Sequence, residues 1–377
     1  MRNEILKFIA QATYGESFRA TRVELDTNSD APIEYDAPNE FTLTANGETR
    51  STKKPVPLKR RADEISASGL QILSCFLDGT RHVYKVDDIS YTTSGTRKTI
   101  YPIVAAQVSV GCCRRVEKKL HHESFTDEIV LVLPDVANFD GHDGFFHALK
   151  DKLNARLTAK NFPVNISAVL SYNTNRNSSE KFEERAVAKV QRHMHDAEID
   201  LVARLVKCGR LDRKNYLVKD GSLEYRTLSD RKFNAKNYGF VVGVSKKFNP
   251  LLIVNPAFVA EMPTFSRTPV SIMSRPAIHG ETKFAVWYLR LRDKKLSDSP
   301  FDGVVKVEKI LVTDAEVQRG KIDSDEADLL SAYLLNERNP VCYGADDRWA
   351  NHIYPIFLTE SFIKSRSISA ETFLHLF

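Results

Sequence analysis

Apolar positions along this chain fall into two rhythms. Between residues 65 and 113 they form short β-branched and aromatic runs, "LQILSCFLD", "RHVYKVDDISYTT" and "IYPIVAAQVSVGCC", separated by turn formers, which predicts three strands in an antiparallel meander. The first break falls at Asp78-Gly79, where an Asp-Gly pair after an apolar run predicts a strand end and a hairpin. "DEIVLVLP" adds a strand, followed by a turn and a helix through "FFHALKDKLNARL" and a polar loop from Ser171 to Ser179. The rhythm then changes: Phe182, Ala186, Val190, Met194, Ala197, Leu201 and Leu205 recur every three or four positions, predicting a long amphipathic helix that Gly209 ends. Strands follow at "KNYLVKD", which stops at a second Asp-Gly, Asp220-Gly221, and at "YGFVVGVSKK", "TKFAVWYLRLR" and "GVVKVEKILV". A helix at "SDEADLLSAYLLNE" and the segment "RWANHIYPIFLTESFIKS" close the chain.

The N-terminal part reads differently. Residues 1 to 24 predict a helix with Ile5, Phe8 and Ile9 on one side, followed by a polar stretch rich in turn formers. This divides the chain into an N-terminal helix with an irregular arm, residues 1–64, and a main domain, residues 65–377. No internal repeat is present.

Composition narrows the class. With 377 residues, 42% of them hydrophobic, the chain can bury a substantial core. No apolar run reaches the roughly 18 residues of a membrane helix, and the N-terminus lacks the pattern of a cleaved signal, so the expected location is the cytoplasm. Five scattered cysteines suit free thiols in a reducing compartment. Cys112 and Cys113 are strand neighbours that point to opposite faces, which argues against a zinc site with His121 and His122. Asp135, Asp140 and Asp143 lack the spacing of a calcium loop and read as turn and cap residues. The net charge of +5 is mild. The basic run "KKPVPLKRR", Lys53 to Arg61, reads as a solvated linker or a phosphate-contacting arm.

The carboxylates carry the candidate chemistry. Asp78 and Asp220 each follow an apolar strand, and the long helix between them bears Glu198 at the edge of its buried face. An Asp on a meander, a Glu on a helix and an Asp on the next strand is the order found in ribonuclease H-like nucleases. Phosphodiester hydrolysis with two hard cations needs several carboxylates from rigid elements converging on one point. Glu184, on the same helix and about 40° from the direction of Glu198, is the alternative to it.

"FLDGT", "AEIDLVARLV", "YLVKDGSL", "FVVGVSKK" and "IYPIFLTES" occur in the order found in the NurA nucleases, DNA end-processing enzymes, and the chain resembles that family from Ile65 to Lys364. The resemblance implies an α/β fold with a ribonuclease H-like mixed sheet flanked by helices. It also implies a two-metal-ion deoxyribonuclease acting at DNA ends or on single strands, a homodimer working with a HerA-type hexameric ATPase. By that likeness Asp78, Glu198 and Asp220 would bind Mn2+ or Mg2+, Tyr354 would be an active-site residue and Lys246 a phosphate contact. The chain departs from the pattern at Phe362, where the family usually has a histidine eight residues after the tyrosine; Glu360 or His352 would then complete the site. The alternative is a non-catalytic dimeric DNA-binding or adaptor subunit that keeps the fold. The chain has no GxxxxGK[ST] motif, so ATP-driven movement would belong to a partner.

Overall fold

The computed structural model describes residues 4–25, 41–93, 97–162, 164–175, 181–223, 230–249, 253–277, 280–293, 299–338 and 349–377. Residues 26–40 of the expected arm, residues 176–179 of the polar loop and Cys342 lie outside them.

The N-terminal helix is shorter than its pattern predicts. Helix α1 spans Glu4–Ala12, burying Ile5, Leu6 and Ile9, and stops at Tyr14-Gly15. There the chain crosses Ile89 and Tyr91 so closely that a Cβ on Gly15 would sit 2.7 Å from the Ile89 side chain. It continues as strands β1 (Glu16–Phe18) and β2 (Val23–Glu24), β3 (Thr42–Thr44) and β4 (Val56–Pro57), then helix α2 (Lys59–Ser68). The segment expected as an irregular arm thus adds strands to the sheet. Within α2, Lys59 and Arg60 pair with Asp63 and Glu64 one turn on, and Arg61 reaches Asp328, so these three members of the basic run have acidic partners in the protein.

The predicted hairpin at Asp78-Gly79 does not form. The first two predicted strands are one, β5 (Leu73–Thr93), paired antiparallel with β6 (Arg97–Val116), which pairs in turn with β7 (Lys119–Pro134). Asp78 lies opposite Gly111 within regular pairing that runs from Cys75 to Lys85. Helix α3 (Phe145–Ala159) and strand β8 (Ile166–Tyr172) follow, and β8 runs parallel to β7. Helix α4 spans Phe182–Lys207, close to the span its spacing predicts, and leads into β9 (Tyr216–Asp220). Helix α5 (Arg231–Asn237) precedes β10 (Val241–Ser245). Both β9 and β10 run parallel to β5, giving the local order β7-β6-β5-β9-β10. A three-strand meander with two further strands parallel to its first strand is the ribonuclease H-like core.

Helix α6 (Pro256–Glu261) and strands β11 (Ser266–Arg267), β12 (Ser271–Ala277), β13 (Gly280–Arg290) and β14 (Val304–Ile310) extend this core on the β10 side. Helices α7 (Asp314–Arg319), α8 (Ser324–Asn336), α9 (Tyr354–Lys364) and α10 (Ala370–Leu374) complete the chain. The fold is mixed α/β, one large mixed sheet flanked by helices.

Strand alternation sorts the core. Cys75, Leu77, Val104, Ala106 and Leu217 face α4, whereas Phe76, Val218, Val242 and Trp287 face α8 and α9. On that second face, further along the long strands, Tyr84, Ile103 and Leu131 pack against α1, α3 and the C-terminal segment. No helix among the described residues is long and apolar enough to cross a membrane.

Candidate metal centre

Asp78 stands on the α9 face of β5 and is 7% exposed. Asp220 ends β9 on the same face, where Gly221, at φ +85°, turns the chain away. Glu360, on α9, comes down onto them. One carboxylate oxygen from each of Asp78, Asp220 and Glu360 can be chosen so that all three lie within 4.8 Å of one another. Among the described residues this is the one group of three or more acidic, histidine or cysteine side chains so disposed. Helix α9 can approach because Gly111, opposite Asp78, has no side chain: a Cβ there would lie 2.8 Å from Ile363.

Lys246, just past β10, reaches into the group. Its ammonium lies 3.0 Å from Asp220 Oδ2 and 3.3 Å from Glu360 Oε2, with its side chain 8% exposed. The electrostatics follow from burial and crowding. Burial pushes the Asp78 carboxyl well above the usual carboxylate range, and the charges of Asp220 and Glu360 push it further against the pull of Lys246. Glu360 is held down to about 2: burial opposes its ionisation, but Lys246 and Lys364, the latter at 2.7 Å, outweigh it. Burial disfavours the Lys246 charge, yet Asp220, Glu360 and Asp78 together raise its pKa.

Glu198 is not in this group. It sits on α4, on the other face of the sheet, where Oε2 is 3.3 Å from the Lys219 ammonium. Position 79 of β5 faces the same way: a Cβ on Gly79 would lie 2.8 Å from Glu198 Oε1 and 3.2 Å from Met194. Gly79 therefore serves a close helix approach instead of a turn. Gly79→Ala is expected to cost about 1–3 kcal/mol, read from urea midpoints, because the added methyl must push α4 side chains aside.

The alternative residue, Glu184, is occupied at the start of α4, where its carboxylate accepts from the Lys181 N–H in a capping box. Tyr354 is the first residue of α9, 40% exposed, and lines a cleft of about 500 Å³ with Arg292, Arg338 and Glu337. His352 is buried with its ring edge-on to Phe357. Phe362 packs on His122 and Phe125. Two residues along a helix differ by about 200°, so Phe362 and Glu360 face opposite ways and Glu360 is the α9 residue turned to the aspartates.

No protein-family model matches the chain. No curated protein matches it either. The arrangement is that of a ribonuclease H-like sheet carrying three converging carboxylates beside a buried lysine. Among solved structures, the fold is similar to that of the NurA nuclease from Sulfolobus solfataricus, at 10% identity and a TM-score of 0.42, over 81% of this chain and 88% of that one.

Proposed function

We propose that this protein is a metal-dependent nuclease that hydrolyses phosphodiester bonds of DNA, with Asp78, Asp220 and Glu360 as the residues that hold the metal. The observation that carries the reading is the convergence of those three carboxylates, from β5, β9 and α9, on one buried point. The donor set fits a hard divalent cation such as Mg2+ or Mn2+: it is all oxygen, with no sulfur or imidazole. The electrostatics fit too: burial and the charges of Asp220 and Glu360 oppose ionisation of Asp78, and a divalent cation held among the three carboxylates would relieve that opposition. When bound, the ion would supply Lewis acidity and lower the pKa of a coordinated water.

The chain's own residues have distinct tasks. Asp78 and Asp220, on rigid strands, fix the ion against the sheet. Glu360 ties α9 to it. Lys246 keeps the carboxylates together and presents a fixed positive charge to a phosphate. The sequence resemblance supports DNA ends or single strands as the substrate, with a homodimer and a HerA-type ATPase as the assembly. Phe362 packs away from the carboxylates on His122 and Phe125, and on this reading Glu360 is the α9 residue that completes the ligand set.

The test is purified protein with Mn2+ and end-labelled single- and double-stranded DNA. Wild type should cleave and Asp220→Ala should not. Mn2+ should also raise wild-type thermal stability, by about 2.7 kcal/mol at a hundredfold excess over its dissociation constant, with no such rise in Asp220→Ala. DNA binding with neither cleavage nor metal stabilisation would favour the adaptor reading.

A further inference from the structure

We propose that Lys219 and Glu198 are positioning residues that act from the opposite face of the sheet, holding the Asp220 main chain so that its carboxylate meets Asp78 and Glu360. The inference rests on the metal-dependent reading above.

Alternation along β9 sends Lys219 toward α4 and Asp220 toward α9. Lysine side chains ordinarily run out to water. That of Lys219 is 5% exposed, and its ammonium folds back over the end of its own strand. It donates to the Asp220 carbonyl at 2.6 Å and the Ser222 carbonyl at 3.4 Å, bracketing Gly221. Glu198, 3% exposed, stands 3.3 Å away and supplies the countercharge. The same turn has further partners on β10 and β14. Gly221 N–H donates to the Val244 carbonyl at 2.8 Å, while the Ser222 hydroxyl and the Leu223 N–H donate to buried Glu308 at 2.9 and 2.7 Å.

Stability does not account for this arrangement. A buried ion pair loses hydration that its mutual attraction only partly returns, and an apolar pair of the same volume would hold α4 to the sheet at least as well. What an apolar pair could not do is fix two carbonyls around a glycine turn. A metal ligand at a strand end needs that fixity, because displacement by about 1 Å spoils convergence with ligands on other elements.

The experiment is a Mn2+ titration of the full chain followed by electron paramagnetic resonance of the free ion, with cleavage measured across Mn2+ concentrations. The variants are Glu198→Gln, Lys219→Met and the double substitution. Each single change is expected to weaken Mn2+ binding by about 10- to 100-fold, as loss of an outer partner of a ligand does. It should raise the Mn2+ needed for half-maximal rate while leaving kcat at saturating Mn2+ near wild type. The double variant should be no weaker than Lys219→Met alone, because Glu198 acts through Lys219. Lys219→Gln, whose amide still donates to the two carbonyls, should recover part of the affinity, and it carries the test if Lys219→Met does not fold. Unchanged affinity in the lysine variants, or losses in the double variant equal to the product of the singles, would overturn the inference, the second result marking Glu198 as a ligand in its own right. Wild type without Mn2+ affinity would instead overturn the metal reading on which it rests.

Discussion

Asp78→Asn is expected to remove metal-dependent cleavage, by more than about 100-fold, and to raise the melting temperature of the metal-free protein. Both effects have one cause. Asp78 is buried, and its ionised form is opposed first by loss of hydration and then by the charges of Asp220 and Glu360. A neutral side chain of the same shape removes that opposition and keeps the packing beneath α9. It also removes one of three anionic donors, so the site loses affinity for a divalent ion while the fold gains stability. The contrast is sharpest with metal present. Saturating Mn2+ should stabilise wild type and not the variant, so the two melting temperatures converge or cross as Mn2+ is added. Melting curves of both proteins across a Mn2+ series check this. A variant less stable than metal-free wild type would show that Asp78 contributes to the fold by its charge, contrary to the burial argument.

How much of this could be read from residue order alone depends on how local each cause is. Helix α4 was legible because its buried stripe repeats within a few residues, and the observed span of Phe182–Lys207 differs little from the spacing. The end of β9 was legible because Gly221 is needed at positive φ by its own turn. The same dipeptide misled at Asp78-Gly79, where glycine answers to a side chain far along the chain, Glu198, and leaves the strand unbroken. Nothing local distinguishes the two uses. The helical stripe puts Glu198 beside the buried face of α4, where it is buried, but which carboxylates share a point depends on which face of the sheet α4 covers. Glu360 illustrates the opposite limit. The family resemblance singles out position 362 and leaves Glu360 and His352 as alternatives to the missing histidine, and only the roll of α9 over Gly111 decides that Glu360 is turned inward. A count of helical angles, which sets the two residues about 200° apart, could have separated them once one was known to face the sheet.

The largest loss of stability is expected from Arg267→Met, about 3–5 kcal/mol at neutral pH. Arg267 is fully buried where β11 joins β13, and its guanidinium answers two acids: Glu48 through Nη1 and Nη2 at 3.1 and 2.6 Å, and Asp328 on α8 through Nε at 2.6 Å. Glu48 also accepts from the Val270 N–H at 3.1 Å, and Asp328 is engaged by Arg50 as well. These bonds tie the N-terminal segment, β11 and α8 together, so removing the cation leaves buried Glu48 without its counterion. The pH dependence gives the loss a signature. Burial alone would raise the Glu48 carboxyl, but the hydrogen bonds and charge of Arg267 outweigh it and hold the group below its ordinary value. A carboxyl lowered by folding contributes stability above its unfolded pKa, and that contribution is lost as pH falls through the folded value. Without Arg267 the burial effect stands alone and the sign reverses: the variant takes up a proton on Glu48 more readily when folded and recovers stability as the medium is acidified. The gap between wild type and Arg267→Met should therefore be widest near neutrality and narrow toward about pH 4, as measured by urea unfolding at both. A gap that stays constant would assign the loss to packing around the arginine stem, and Glu48→Gln, which keeps the shape and removes the charge, would then cost little.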